Sequence, residues 1–307
     1  MKNFHFIKKK KVTLIILAAV LVIGLASFFI RGFNIDIDFS GGTEMKIDLG
    51  VEVTDDVSDN INSIIAKEIG EKYVSSTTKA DADKNMAIIR TGTAELSNEQ
   101  SAKLKAAILA AYPNADLKNL EEESIAPTIG KELTKTAIFS VAIAVVLMLV
   151  YIWFRFELAS GIAAVACLAH DLFVMWAIYS LFQIPINSNI IAAMLTILGY
   201  SINATIIVFD RIRENKKNDK TNAEFGEIVN TGIHNTLGRS INTTLTTLFT
   251  IGMIYILGVD SIKDFAFPLI VGIIAGLFSS VFVSGMLWDM LVKILPKKKA
   301  KKAKIKK

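Results

Sequence analysis

The chain has almost no cysteine. Cys167 stands alone in an apolar segment, so no disulfide can form within the chain. Any part of it in water must hold itself together by core packing. With one cysteine and three histidines, the ligands of a structural zinc site are missing. Signatures of catalysis are missing too: there is no H-E-x-x-H, no G-x-x-x-x-G-K and no G-x-S-x-G. A membrane protease built on His170 and Asp171 would have no recognisable nucleophile. These absences point away from an enzyme and call for neither a metal nor a cofactor. Charge is also missing from several runs of about 20 residues. With 52% hydrophobic residues and a mean hydropathy of +0.47, the chain reads as a polytopic α-helical membrane protein.

The charge that is present is unevenly placed. The net charge is +5, yet residues 31–133 carry 19 acidic and 11 basic side chains, a net of −8, against +13 for the rest. The bases flank the apolar runs. They read as a topology signal and a contact for anionic lipid headgroups, not as a nucleic-acid surface.

Lys8 to Lys11 precede residues 12–30, which are 19 residues without a charge. That run is longer than a signal-peptide core of about 7–15 residues and lacks an A-x-A-like site, so it reads as a retained first span. Residues 1–30 are then the N-terminus and first span, and 31–133 an aqueous domain. Residues 134–293 hold five more spans, and 294–307 are a basic tail. Within the domain, residues 34–49 alternate as a strand, interrupted at Ser40-Gly41-Gly42. Residues 55–73 form an amphipathic helix with Ile61, Ile64, Ile65 and Ile69 on one stripe. Residues 74–80 and 86–91 are strand-like runs around a polar turn at 81–85. Residues 96–112 are a second helix, opened by Ser97 and Gln100 in capping-box spacing, and a last strand covers 115–125. The order β-α-β-β-α-β is that of a split βαβ, ferredoxin-like domain.

The remaining spans are expected at 136–154, 158–182, 190–209, 240–259 and 265–291. Residues 155–157 make a tight hairpin, and residues 210–239 a charged loop with an interfacial helix around 223–236. The bases fall on the side of both termini, which the positive-inside rule places in the cytoplasm.

Polar groups inside these runs are the candidate site residues. His170 and Asp171 lie midway along the third span, where an acid costs ~2.5–3.5 kcal/mol on insertion scales. They read as a proton or ion relay or as a structural hydrogen-bond pair. In the fourth span, Thr196, Gly199, Tyr200, Asn203 and Ile207 share one face, expected to turn inward. Tyr200, Ser201, Asn203 and Thr205 read either as interhelical glue or as part of a coupling path. In the fifth, Arg239, Asn242, Thr243, Thr246 and Thr250 follow helical spacing. Arg239 reads as snorkelling to the interface or as paired with Asp171, Asp210 or a lipid phosphate. Asp38-Phe39-Ser40-Gly41-Gly42-Thr43 reads as a tight turn. Asp210-Arg211-Ile212-Arg213-Glu214-Asn215 is a helix end with local ion pairs, and Gly272 and Gly276 a packing step.

Several of these strings carry a resemblance. Gly199-Tyr200-Ser201-Ile202-Asn203, followed by a short apolar run and Phe209 to Asn215, resembles the fourth transmembrane helix of the SecF family. That family belongs to the bacterial protein-export machinery and to the RND superfamily. The His-Asp pair, the Leu237 to Leu248 string and Asp38 to Thr43 resemble it as well. So does the less specific run from Ile125 through Pro127 to Gly130. The resemblance implies a bacterial cytoplasmic-membrane protein that pairs with SecD in a twelve-span bundle and works beside the SecYEG channel on a translocating unfolded polypeptide. It implies late-stage export driven by an ion gradient, H⁺ or else Na⁺. One departure stands out: the family's usual aspartate after the asparagine is Ala204 here, and the family's arginine at position 239 is thought to act with that aspartate. The alternatives are half of an RND-like lipid or small-molecule exporter and a non-conducting scaffold of the translocon.

Overall fold

The structure, a computed structural model, describes residues 5–79, 84–91, 96–258 and 260–295. The lysine-rich stretch 297–307 and part of the polar turn at 81–85 lie outside the described residues. Among the described residues, six helical segments are long and apolar enough to cross a membrane. They are α1 (Lys10–Arg31), α5 (Pro127–Arg155), α6 (Leu158–Phe182), α7 (Asn189–Asn218), α8 (Phe225–Leu257) and an interrupted sixth. In the sixth, α9 (Asp260–Phe278) runs into a π-helical turn at Ser279–Val283 and continues as α10 (Ser284–Ile294).

The helices extend further than the uncharged runs. Proline at the first turn needs no amide donor, so Pro127 starts α5 inside the domain junction. The charged end of span 4 stays helical to Asn218, and the expected interfacial helix is fused with span 5 as α8. Backbone hydrogen bonding does not stop where lipid stops; only hydropathy does.

Between α1 and α5 lies a two-layer α/β domain. A one-turn helix α2 (Ile37–Ser40) is followed by β1 (Gly42–Asp48), α3 (Asp55–Glu68), β2 (Val74–Lys79), β3 (Met86–Thr91), α4 (Asn98–Ala111) and β4 (Asp116–Ile125). The sheet order is β2-β3-β1-β4, with every neighbouring pair antiparallel. Alternation places Met45 and Ile47 of β1 and Ala87 and Ile89 of β3 on one face. There they meet Ile61 and Ile65 of α3 and Leu104 and Ile108 of α4, all essentially inaccessible. Thr54 caps α3, and Ser97 with Gln100 closes a capping box on α4.

Two stretches depart from the sequence reading. The strand expected from residue 34 is broken, because the Asp36 carboxylate accepts from Ile37 N at 2.7 Å and starts a helical turn. Gly41 and Gly42 then take φ of 73° and 132°, which side-chain-bearing residues rarely adopt. The helix expected to reach residue 73 ends at Glu68, where Gly70 at φ 110° turns the chain.

The domain joins the bundle at one point. A Cβ on Gly41 would lie 2.7 Å from Pro127 Cα, and one on Gly130 would lie 3.0 Å from both Gly41 N and Phe39 O. The two glycine-bearing strings therefore pack backbone to backbone. The loop between spans 3 and 4 completes the joint: Ile186 N donates to Asn34 O at 2.8 Å, and Ser188 N donates to the Asp38 carboxylate at 2.7 Å.

Because Ile65 is fully buried between sheet and helix, Ile65→Ala should cost the domain about 2–5 kcal/mol. Hydrogen exchange of the β1 and β3 amides would read this as faster opening. Unchanged exchange would contradict the assigned core.

Candidate functional site

The third span carries an acid with nowhere to go but inward. Asp171 is 1% exposed. Its Oδ2 accepts from Ser279 Oγ at 2.8 Å and from Ser201 Oγ, while Oδ1 lies 2.9 Å from His170 Nδ1. The donors come from three elements: span 3, span 4 and the π-helical turn of span 6. Hydrogen bonds to a charged group stabilise by about 1.5–3 kcal/mol each, and two of them match the ~2.5–3.5 kcal/mol cost of placing an acid at that depth. Hydroxyls and an imidazole can also pass a proton on, since each both donates and accepts. His170 Nε2 is buried with no hydrogen-bond partner among the described residues.

Close helix approach makes this geometry possible. A Cβ on Gly272 would overlap the Ile197 side chain, and one on Gly276 would touch Ser201 Cβ at 3.4 Å. Small residues thus let span 6 lie against span 4. The π-turn widens the helix at Ser279, where such turns commonly mark functional sites. Cys167, one turn before Asp171, is buried and donates weakly to Ser279 O at 3.8 Å.

The face of span 4 expected to point inward does not do so within this chain. Thr196, Gly199 and Asn203 are exposed, Tyr200 and Ile207 are half-buried, and Ser201 and Thr205 are the buried polar residues. The buried stripe of this helix runs through Ala193, Ile197, Ser201, Thr205 and Val208 and marks the side that packs. Asn203 therefore lies on a different surface from Asp171. Span 5 behaves alike: Arg239, Asn242, Thr243, Thr246 and Thr250 are all exposed. Thr246 and Thr250 hydroxyls return to their own helix carbonyls. Tyr200 OH donates to Thr244 Oγ1 at 3.2 Å, which joins the two helices beside these outward faces. Arg239 is exposed and pairs with neither Asp171, which is beside His170, nor Asp210, which is beside Arg155 and Arg213.

Asp210 belongs to the end of the bundle away from the domain. Arg155 Nη2 donates to both of its oxygens at 2.8 Å, and Arg213 Nη1 donates to Arg155 O at 3.1 Å. Arg213 also covers the Phe156 ring, and Arg211 pairs with Glu214 at 2.8 Å. The Asp210 to Asn215 string thus clamps the hairpin between spans 2 and 3. Asn215 Nδ2 is buried with no partner among the described residues.

Two residues escaped the sequence reading. Ser279 lies in an ordinary serine pair, and only the fold shows that it reaches Asp171. Asp289 is a second buried acid, 3% exposed, bonded through Oδ2 to Lys293 at 2.9 Å. An acid inside the 265–291 apolar run was a visible signal for it.

An α/β domain inserted after the first of six spans, with a carboxylate buried between three of them, defines a multi-pass membrane protein built around an internal ionisable centre. Residues 104–294 match the family described as protein export membrane protein SecD/SecF, C-terminal. The protein translocase subunit SecF of Acidaminococcus fermentans is 34% identical over 301 residues, covering 94% of this chain and 97% of that protein. The protein translocase subunit SecDF of Bacillus subtilis is 32% identical over 94% of this chain. A crystal structure of SecDF, a translocon-associated membrane protein from Thermus thermophilus, superposes with a TM-score of 0.77 at 31% identity and 92% coverage of this chain. This chain spans 38% of the length of each of those two SecDF chains. The chain belongs to the SecD/SecF family of protein-export membrane proteins.

The two faces of span 4 can be told apart chemically. In the isolated chain in detergent, a cysteine at Asn203 should react with a maleimide at least about tenfold faster than one at Ser201. Equal rates would overturn the orientation described.

Proposed function

We propose that the chain is a SecF-type subunit of the Sec protein translocase that works with SecD to promote late-stage, ion-gradient-driven export. It carries a ferredoxin-like domain outside the bacterial cytoplasmic membrane and both termini in the cytoplasm. The observation that carries this reading is Asp171, inaccessible and held by Ser201, Ser279 and His170. It is an intramembrane carboxylate whose immediate partners can all relay protons. Asp171 is the coupling acid in this account, and its location offsets the lack of one at Ala204. The coupling ion is H⁺, because the ligands of Asp171 are hydroxyls already donating to it. Na⁺ would need those hydroxyls to turn.

SecD is the partner that the exposed polar faces of spans 4 and 5 call for. A stripe bearing Asn203, Arg239, Asn242 and Thr246 is costly against lipid. A second six-span bundle would cover it, and the existence of relatives in which SecD and SecF form one chain supports that partner. The SecYEG channel, the emerging polypeptide and anionic lipids complete the working set. Neither catalysis nor a cofactor is part of this role.

Ala204 favours one other reading, a scaffold that stabilises the translocon without conducting ions. The two separate in export into vesicles. Asp171→Asn should remove the gradient-dependent stimulation of export while SecD still copurifies. Full stimulation by Asp171→Asn, or wild-type stimulation that survives collapse of both proton and sodium gradients, would favour the scaffold.

A further inference from the structure

Where the domain meets the bundle, three charges are buried together. Arg90 on β3 is 5% exposed, Asp36 ahead of α2 is 8% and Glu44 on β1 is 9%. Arg90 Nε donates to Glu44 Oε2 at 2.7 Å and lies 3.3 Å from Asp36 Oδ1. The two carboxylates lie on opposite sides of Gly41-Gly42, the point where the chain turns with positive φ. Asp36 belongs to the bundle side, since its N–H donates to Ile186 O at 3.2 Å in the loop between spans 3 and 4. Glu44 belongs to the sheet, opposite Arg90 in the β1–β3 register. The return crossing, from β4 into α5, passes the same point, with Pro127 against Gly41. Both connections between domain and bundle thus run through one joint, and one guanidinium spans it.

We propose that Arg90 is a positioning residue that fixes the angle between the domain and the membrane bundle, and that a proton on Glu44 sets how firmly it holds. One buried cation serves two buried carboxylates, and the second cation near Glu44, Lys46, is a third exposed and shared with Glu121 at 3.9 Å. With Glu44 ionised, the surplus negative charge pushes Asp36 and Glu44 apart across the glycine joint, and Arg90 is divided between them. With Glu44 protonated, Arg90 and Asp36 form a complete pair and the domain is held against the bundle. Other groups around Glu44 do not cancel the surplus: Lys46 approaches it at 3.6 Å, but Glu121, Glu122 and Glu123 of β4 line the same recess. Glu122 is itself held by Lys105 and Ser101, and Asp38 of α2 is bonded to Ser188 N.

Burial holds the Glu44 pKa above the ordinary glutamate value. Arg90 opposes that shift, Asp36 adds to it, and Lys46 opposes it to a smaller extent. A carboxyl raised in the folded state stabilises the joint while it is protonated, and that contribution is lost as pH rises through its elevated pKa. Acid therefore tightens the joint and alkali loosens it. The joint stands on its own geometry; its use in moving the domain during export rests on the function proposed above.

Spin labels at Asn119→Cys and Phe182→Cys, in a Cys167→Ala background, would report the angle in the full chain reconstituted with SecD in vesicles. Between external pH about 8 and about 5, the distance distribution should narrow and shift toward one population. Glu44→Gln should give the acid distribution at both pH values, and Arg90→Gln a broad one at both, with Arg90→Lys restoring part of the narrowing. Thermal melting checks that the variants fold; the Glu44→Gln change is isosteric and should. A pH response that persists in Glu44→Gln, or its absence from the parent chain, would overturn the proposal. Asp171→Asn should leave the response intact. If that variant also exports normally, the coupling reading falls and the joint stands.

Discussion

A carboxylate taken out of water at the middle of a membrane must find its hydrogen bonds nearby, and that constraint shapes this bundle. Asp171 finds them on two helices other than its own. For both serines to reach one side chain, spans 3, 4 and 6 must come within side-chain contact. Gly272 and Gly276 allow the approach, and the π-turn at Ser279 turns a hydroxyl toward the acid. The rest of the bundle is looser. Spans 1, 2 and 5 lie mostly exposed, with 17%, 6% and 11% of their apolar windows buried, whereas span 6 is 61% buried. The chain thus has a tight polar centre and a loose rim, the distribution expected when a subunit completes its packing with lipid and a partner.

Much of this was legible in the sequence. Hydropathy gives the six crossings because no water inside the bilayer competes for the backbone. The period-2 and period-3.6 patterns of the domain give its elements because their apolar faces must meet. The acid at position 171 was legible as a problem that needs a solution. The solution was not, since its donors are 30 and 108 residues away and serine is unremarkable in sequence.

The orientation of span 4 shows a different limit. Ser201 and Asn203 are both polar and two residues apart, so the polar pattern fits either face. Packing against span 6 decides, with Gly272 at Ile197 and Gly276 at Ser201, and periodicity alone does not reveal it. The joint at Gly41 was legible only as a turn. That Pro127 lies against it, and that Arg90 bridges Asp36 to Glu44 across it, depends on contacts between segments far apart in the chain. Ion-pair networks of this kind leave no local signature. The two polar features therefore lie at different depths: one is central to the bundle, and the other governs how the domain rides on it.

The central claim is that Asp171 exchanges a proton while enclosed by its serines. Infrared difference spectroscopy of the reconstituted subunit, recorded as a proton gradient is imposed, tests it most directly. A protonated-carboxyl band that appears in the parent chain, disappears in Asp171→Asn and shifts in Ser279→Ala is the predicted result. A spectrum in which Asp171→Asn removes no band would contradict it.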